Sequence, residues 1–397
     1  MDRRDFIRFG TLALGVGPGV RQASGANDRV RVGLIGAGLR GRADAACVAR
    51  SGVNAEIAAV ADVYAPRRAK GCAALGPQAK PVRDYRAILD DKEIDAVIVA
   101  APDHWHVQMV LEAVSAGKDV YVEKPVTHQL EEGEKLIAGV DQSNRIVATG
   151  TQQRSWEHYL KAREIVAGGG LGQVGLAESY WYQDYTKLPA LIERALDEPS
   201  VDASQLDWKQ WLGSAPAQPF DPVKYYYWRF FSDFGGGIFT DLMTHWIDVI
   251  QWFMDTPSPT VTKAIGATHK FKEFQLPDTV SAGFEFPNNY SSVFTGSLTC
   301  GLEDGGIILR GDKAMMKLTR AGYWVYRESE PFGSHKMPEP SQESMSAADG
   351  TLANVANWLD CIRSRKTPNA NIRAGVAAAR TSHLANLAMQ RQDRSQG

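Results

Sequence analysis

The sequence predicts an α/β chain of two domains, the first built on a parallel sheet with crossover helices, the second an α+β domain with a large open, mostly antiparallel sheet. Three observations predict it. A chain of 397 residues that is 44% apolar is long enough to bury two cores. From residue 29 to 151, short β-branched runs alternate with amphipathic stretches, as parallel strands with crossover helices require. Beyond GTQQRS the strands lengthen and alternate more strictly, which is the antiparallel pattern. The expected divisions are a leader over 1–26, a dinucleotide-binding domain over 27–150 and a substrate-binding and oligomerisation domain over 151–397, ending in helices.

The leader comes first. Arg3 and Arg4 precede Phe6, Ile7 and Arg8, then a weakly apolar stretch and small residues near Ser24 and Ala26. Basic, apolar and small segments in that order read as a secretory signal. The paired arginines resemble the twin-arginine motif, with Asp2 where Ser or Thr is usual. Export in folded form to the periplasm, or another extracytoplasmic space, is therefore expected. No apolar run approaches the roughly 20 residues that span a bilayer, so no membrane segment is expected in the mature form. A formal net charge of -2 without runs of like charge gives no reason to expect nucleic acid, and a small molecule is the expected partner. Cys47, Cys72, Cys300 and Cys361 form no CxxC pair; they read as buried thiols, with no metal site or disulfide framework.

In the first domain the strand RVRVGLIG runs into Gly36-Ala37-Gly38-Leu39-Arg40-Gly41 and then a helix. Gly36 permits the tight turn, Gly38 admits a pyrophosphate to the backbone, Gly41 allows the helix to pack on the sheet, and the helix N-terminus attracts negative charge. The strand AEIAAVAD ends on Asp62, 21 residues beyond Gly41, placed to accept from ribose hydroxyls. This is a Rossmann dinucleotide-binding pattern. Asp62 favours NAD, while Arg67 and Arg68, unless they form only a solvated helix start, would reach a 2′-phosphate and leave NADP open. The strand DAVIVAA leads to a helix containing HVQMVLEAVSAG, which stops at Gly117. DVYVEK then delivers Glu123 and Lys124 at a strand's carboxyl end, where ligands sit in an open α/β sheet. Pro125 fixes the turn, so Lys124 is either held for proton chemistry or a lysine extending harmlessly from a strand end. RIVATG closes the domain.

In the second domain LGQVGLAESYWYQ, DTVSAGFEFPNNYSSVFTGSL and GIILRGDKAMMKLTR read as strands, with a hairpin at Asn288-Asn289. Residues 235–254, GGGIFTDLMTHWIDVIQWFM, read as a helix buried nearly all round. Asp241, His245 and Asp248 stand on it at i, i+4 and i+7, so one face carries three ionisable groups that require partners or a cleft. The plain alternative is a His245 satisfied by Asp241. Between Tyr185 and Asp233 lie Trp208, Trp211, Tyr225, Tyr226, Tyr227, Trp228, Phe230 and Phe231, with Arg229 among them. These rings either stack on sugar C–H faces or pack the loop onto the domain. TLANVANWLDCIRSRK and IRAGVAAARTSHLANLAMQ read as closing helices.

The combination of GAGLRG, PDHWH, VYVEKP and GGGIFTDLMTHWID resembles the Gfo/Idh/MocA family, named after glucose-fructose oxidoreductase and inositol dehydrogenase, over nearly the whole mature chain. The resemblance implies a catalytic Lys124 that contacts cofactor and substrate, and a cis bond before Pro125. It places Pro102, Asp103, His104 and His106 beside the cofactor with Leu39, Arg40 and Glu123, although His106 alternatively caps its helix. It implies that Asp241 and His245 act with Lys124, the base being Lys124 or His245, while Asp248 is structural. Arg154, Trp228, Arg229 and His245 are the substrate-side candidates. A neighbouring subunit is expected on the open sheet, giving a homodimer or tetramer. The implied activity is NAD(P)-dependent oxidation of a sugar, polyol or glycoside CH–OH group; export of the folded chain with its cofactor inside would make that cofactor tightly held and recycled in each turnover. The alternative is an NAD-dependent glycoside hydrolase that uses oxidation and elimination.

Overall fold

The computed structural model describes residues 29–198, 200–327 and 337–393; the leader of 1–26 lies outside them. As the sequence predicts, two sheets organise the chain. The first contains β1 (Val30–Ile35), β2 (Ala55–Ala61), β3 (Lys80–Val82), β4 (Ala96–Val99), β5 (Asp119–Val122) and β6 (Val147–Thr149), in the order β3-β2-β1-β4-β5-β6. All pairings are parallel. β4 and β5 are buried on both faces, as strands covered by helices must be. The order reverses between β1 and β4, and a crevice opens there at the carboxyl ends of the strands. Only β3 escapes the sequence pattern. It is short and contains Pro81, which an edge strand tolerates because one side needs no donor.

The second sheet contains β7 (Val174–Tyr182), β8 (Val261–Ala267), β9 (Thr279–Phe286), β10 (Tyr290–Ser297), β11 (Gly305–Gly311), β12 (Met315–Thr319), β13 (Gly322–Tyr326) and β14 (Gln342–Met345). Their order is β14-β13-β12-β11-β7-β10-β9-β8, and only β7 with β10 is parallel. The Asn288-Asn289 hairpin joins β9 to β10, with Asn289 at φ 57°. One face packs Ala177, Phe284, Phe294 and Leu309 with the Thr244–Met254 helix in a single core. The other presents Leu176, Tyr180, Tyr182 and Ile308, half-buried, and Val293, exposed.

The closing helices join the two halves. Val355, Trp358 and Leu359 of the Gly350–Ser364 helix share a core with Val32, Leu34 and Tyr121, so this C-terminal helix covers the first sheet. The Ile372–Asp393 helix gives Ile372, Val376 and Ala379 to the first domain's core and Ala378, Ala385 and Met389 to the second's. Residues 197–234 cross back in the same way. They bury Leu206, Trp211, Tyr225 and Phe234 around Tyr64, and pair Asp197 with Lys70, Glu198 with Arg67 and Asp207 with Arg83. Cys47 and Cys361 are buried as expected, but Cys72 is half-buried and Cys300 is exposed before β11.

Candidate active site

A cavity of about 370 Å³ lies between the domains at the β1–β4 crevice. Its first-domain wall is the glycine turn. Gly36 has φ 93°, and a Cβ there would stand 2.6 Å from the Ala100 carbonyl oxygen. A Cβ on Gly41 would strike the Gly36 carbonyl oxygen at 2.0 Å, so Gly41 packs the helix behind the turn and does not line the cavity. Over Gly38 the nearest atom to such a Cβ is Arg67 Nη1 at 3.9 Å, which leaves a cradle for a pyrophosphate. No side chain caps the Leu39–Arg50 helix, so its first N–H groups are left for an anion. Asp62 accepts from the backbone N–H of Ala37 (2.7 Å) and Tyr64 (2.8 Å), which fixes its carboxylate in the wall. These residues fit a dinucleotide.

The arginines beside it are already committed. Arg67 donates through Nε (2.7 Å) and Nη2 (2.8 Å) to Glu198, and Arg68 donates to the Asp62 carbonyl. Arg67 is thereby held away from a 2′-phosphate, whereas Arg68 commits only Nη1 and keeps its other donors. Arg40 bridges Glu123 (2.9 Å) and the buried Asp44 (2.8 Å). Leu39, Arg40, Pro102, His106 and Glu123 line the cavity. His106 is not a cap: its ring nitrogens meet the carbonyls of Pro125 (2.6 Å) and Ala101 (2.8 Å), fastening the turn at the cis Lys124–Pro125 bond. His104 departs from the expectation. It lies outside the lining, with Nε2 3.2 Å from the Trp211 carbonyl and its ring against Trp211 and Phe234, and burial pushes its pKa down to about 4.

The opposite wall brings Lys124, Asp241 and His245 together. Lys124 Nζ donates to Asp241 Oδ1 (2.7 Å) and to its carbonyl (2.8 Å). Arg229 Nε donates to the same Oδ1 (3.1 Å), and the Tyr185 hydroxyl donates to Oδ2 (2.8 Å). Burial alone would raise the Asp241 carboxyl, but Lys124 and Arg229, with these hydrogen bonds, hold it well below the usual carboxylate range. His245 is not its partner. Phe239–Met243 forms one π-helical turn, whose wider repeat separates the two side chains that a regular i, i+4 spacing would stack. His245 lies parallel to Trp181 instead (centroids 5.4 Å), and its Nδ1 is buried without a hydrogen-bond partner. Burial, reinforced by Lys124, Arg320 and Arg40, pushes its pKa well below the usual histidine value. The imidazole is therefore neutral near pH 7.

Arg154 departs from its expected place as well. It lies outside the cavity, where Nε donates to both oxygens of Asp248 (2.8 and 2.9 Å) and offsets part of the burial that still raises that carboxyl. The aromatic stretch divides: Tyr225, Tyr226, Trp228 and Trp211 reach the cavity, whereas Phe230 and Phe231 only pack. Arg229 stacks on Trp228, its guanidinium carbon 4.2 Å from the ring centroid. Sequence reasoning missed Trp181, Tyr185, Gln152 and Arg320, all in the lining. Tyr185 had a signal, since it opens the aromatic stretch. Arg320 had none, because it stands in a turn after β12, remote in sequence from every motif.

Residues 30–151 match the model of an oxidoreductase family with an NAD-binding Rossmann fold, and residues 214–394 match that family's C-terminal alpha/beta domain. An uncharacterized oxidoreductase of Bacillus subtilis is 32% identical over 68% of this chain and 67% of its own length. Inositol 2-dehydrogenase of Pseudomonas fluorescens is 28% identical over 83% of this chain and 81% of its own. The match to inositol 2-dehydrogenase 3 of Saccharopolyspora erythraea, 29% identical, spans 46% of this chain and about half the relative (53%). Among solved structures, a levoglucosan dehydrogenase complexed with NADH and levoglucosan superposes with a TM-score of 0.71 at 18% identity, over 93% of this chain and 98% of that one, which is a likeness of fold.

Proposed function

The chain belongs to the Gfo/Idh/MocA oxidoreductase family, and from that premise we propose that it oxidises a CH–OH group of a sugar, polyol or glycoside with NAD. The observation that carries this reading is a neutral, unpartnered His245 beside a Lys124 anchored on Asp241, both facing the dinucleotide cradle. NAD, when bound, supplies the acceptor for the hydride that leaves the carbinol carbon. Lys124 holds the substrate oxygen with its remaining donor, His245 Nδ1 takes the hydroxyl proton, and Asp241 with Tyr185 keeps the lysine aimed. Trp228 offers a ring to a sugar face.

The reading includes export by the twin-arginine leader and a cofactor retained through it. The support for export is the order of basic, apolar and small segments over 1–26, and the support for retention is the pairing of Glu198 and Asp207 with Arg67 and Arg83 at the cavity wall. It also includes a homo-oligomer formed through the sheet face bearing Tyr180, Tyr182, Val293 and Ile308. The test is to denature the purified protein and count released NAD(H), then record nicotinamide absorbance with polyols, sugars and nitrophenyl glycosides, with and without added NAD. About one NAD(H) per chain is expected, as a slowly dissociating ligand requires, with reduction by a polyol or sugar. Aglycone release would replace the dehydrogenase reading by a glycosidase. A protein that purifies empty and works only with added NAD would remove the retained cofactor.

A further inference from the structure

The charges at the catalytic end do not balance. Lys124 and Arg229 share a single carboxylate, Asp241. Arg320 enters the same cavity from the other side, over the Trp181 ring at 4.6 Å and the Trp246 ring at 5.8 Å. It has no ion-pair partner among the described residues, and its Nε is buried without a hydrogen-bond acceptor. Gln152 Oε1 and His245 Nδ1, in the same lining, are also unpartnered. Asp103 offers little compensation, because burial raises its carboxyl well above the usual range. Glu123 lines the same cavity but is paired with Arg40, and Asp304 lies near Arg320 without pairing with it, so of Lys124, Arg229 and Arg320 only Arg320 lacks a paired carboxylate. A buried guanidinium without an acceptor is costly, and a ligand carboxylate removes that cost through charge-assisted, two-pronged hydrogen bonds. Arg229 does not need such a ligand, since it already has Asp241. Trp181 touches both groups, with His245 stacked on its ring and Arg320 over it, and both line the same cavity, so an anion on Arg320 shares that cavity with His245.

We propose that Arg320 receives a carboxylate of the substrate, so that the alcohol oxidised here belongs to an acidic sugar or a polyol acid. The inference rests on the dehydrogenase reading for the alcohol, but not for the carboxylate. The carboxylate itself is unchanged in the reaction.

The test is calorimetric titration of the NADH-saturated protein with matched pairs: glucuronate against glucose, galacturonate against galactose, and gluconate against sorbitol. In the wild type at least one acid should bind about 10- to 100-fold more tightly than its neutral partner, the range for a hydrogen-bonded charge pair. Arg320→Gln should bring that ratio close to one, and Arg320→Lys should restore part of it. A wild-type protein that binds no acid more tightly than its neutral partner overturns the proposal, as does a preference that survives in Arg320→Gln. NADH is titrated separately; if Arg320→Gln weakens NADH itself about as strongly as the acids, the guanidinium serves the cofactor and the proposal fails. Turnover separates the two readings. Acid-selective binding without oxidation of any compound removes the dehydrogenase and leaves Arg320 its anion, whereas oxidation of neutral polyols without acid selectivity removes the role of Arg320 alone.

Discussion

In the proposed reaction, His245 and Lys124 divide the work of a proton transfer between an acceptor and a donor. His245 has a buried, unpartnered Nδ1, while Lys124 commits two donors to Asp241 and keeps one for a substrate. His245→Ala and Lys124→Met should each lower kcat by roughly 100-fold or more, the scale of a positioned acid or base. The pH profile distinguishes them. A base works deprotonated, and the folded protein pushes this histidine below its ordinary value of 6.5, so kcat/KM should be flat through neutrality and fall only as pH drops below that value. A limb centred above 6.5 that disappears in His245→Ala would contradict the assignment. The spacing of Asp241 and His245 was legible in the sequence, but their relation was not. Only the π-helical turn shows that they act on different neighbours.

At the scale of elements, the first sheet was legible because its strands other than β3 are apolar, β-branched runs and because Gly36 and Gly41 sit where backbone approaches backbone. The weaker strands β3, β8, β13 and β14 carry too little alternation to stand out. The return of the Gly350–Ser364 helix to the first sheet depends on a partner more than 200 residues away, such as Tyr121, whose hydroxyl accepts from Asn354 Nδ2 at 3.1 Å. The segment 197–234 is the element with the clearest consequence for cofactor choice. Glu198 occupies Arg67 with two hydrogen bonds beside Asp62. Asp62→Ala should weaken NAD and narrow the preference against NADP, because a carboxylate that accepts from ribose and repels phosphate is gone. Glu198→Gln should narrow the preference mainly by strengthening NADP, since it frees Arg67. Fluorescence titration of both dinucleotides measures this. An unchanged ratio in both variants would place discrimination elsewhere.

For the molecule as a whole, the outer face of the second sheet is the proposed interface of assembly. Tyr180 stacks on Tyr182 there with centroids 5.5 Å apart, beside Ile308 and the exposed Val293. Two such faces would bury apolar surface on association. Val293→Asp combined with Ile308→Asp should convert a dimer or tetramer to a smaller species by light scattering, without loss of the folded circular dichroism signal. A wild-type protein that runs as a monomer at micromolar concentration would rule the interface out.

The sharing of the Ile372–Asp393 helix between both cores also sets an order of events during synthesis. The strands β1 to β6 leave the ribosome first, yet the Val32, Leu34 and Tyr121 face of their sheet, partly covered by Ala45 and Val48 of the Leu39–Arg50 helix, lacks the rest of its cover until Trp358 and its neighbours emerge. Domains ordinarily fold as they appear, N-terminal first. Here the nucleotide fold cannot complete its packing until more than 200 further residues have been made. The nascent first half therefore keeps part of its apolar face open until the Gly350–Ser364 helix arrives, and the dinucleotide cleft has both its walls only once both halves are made.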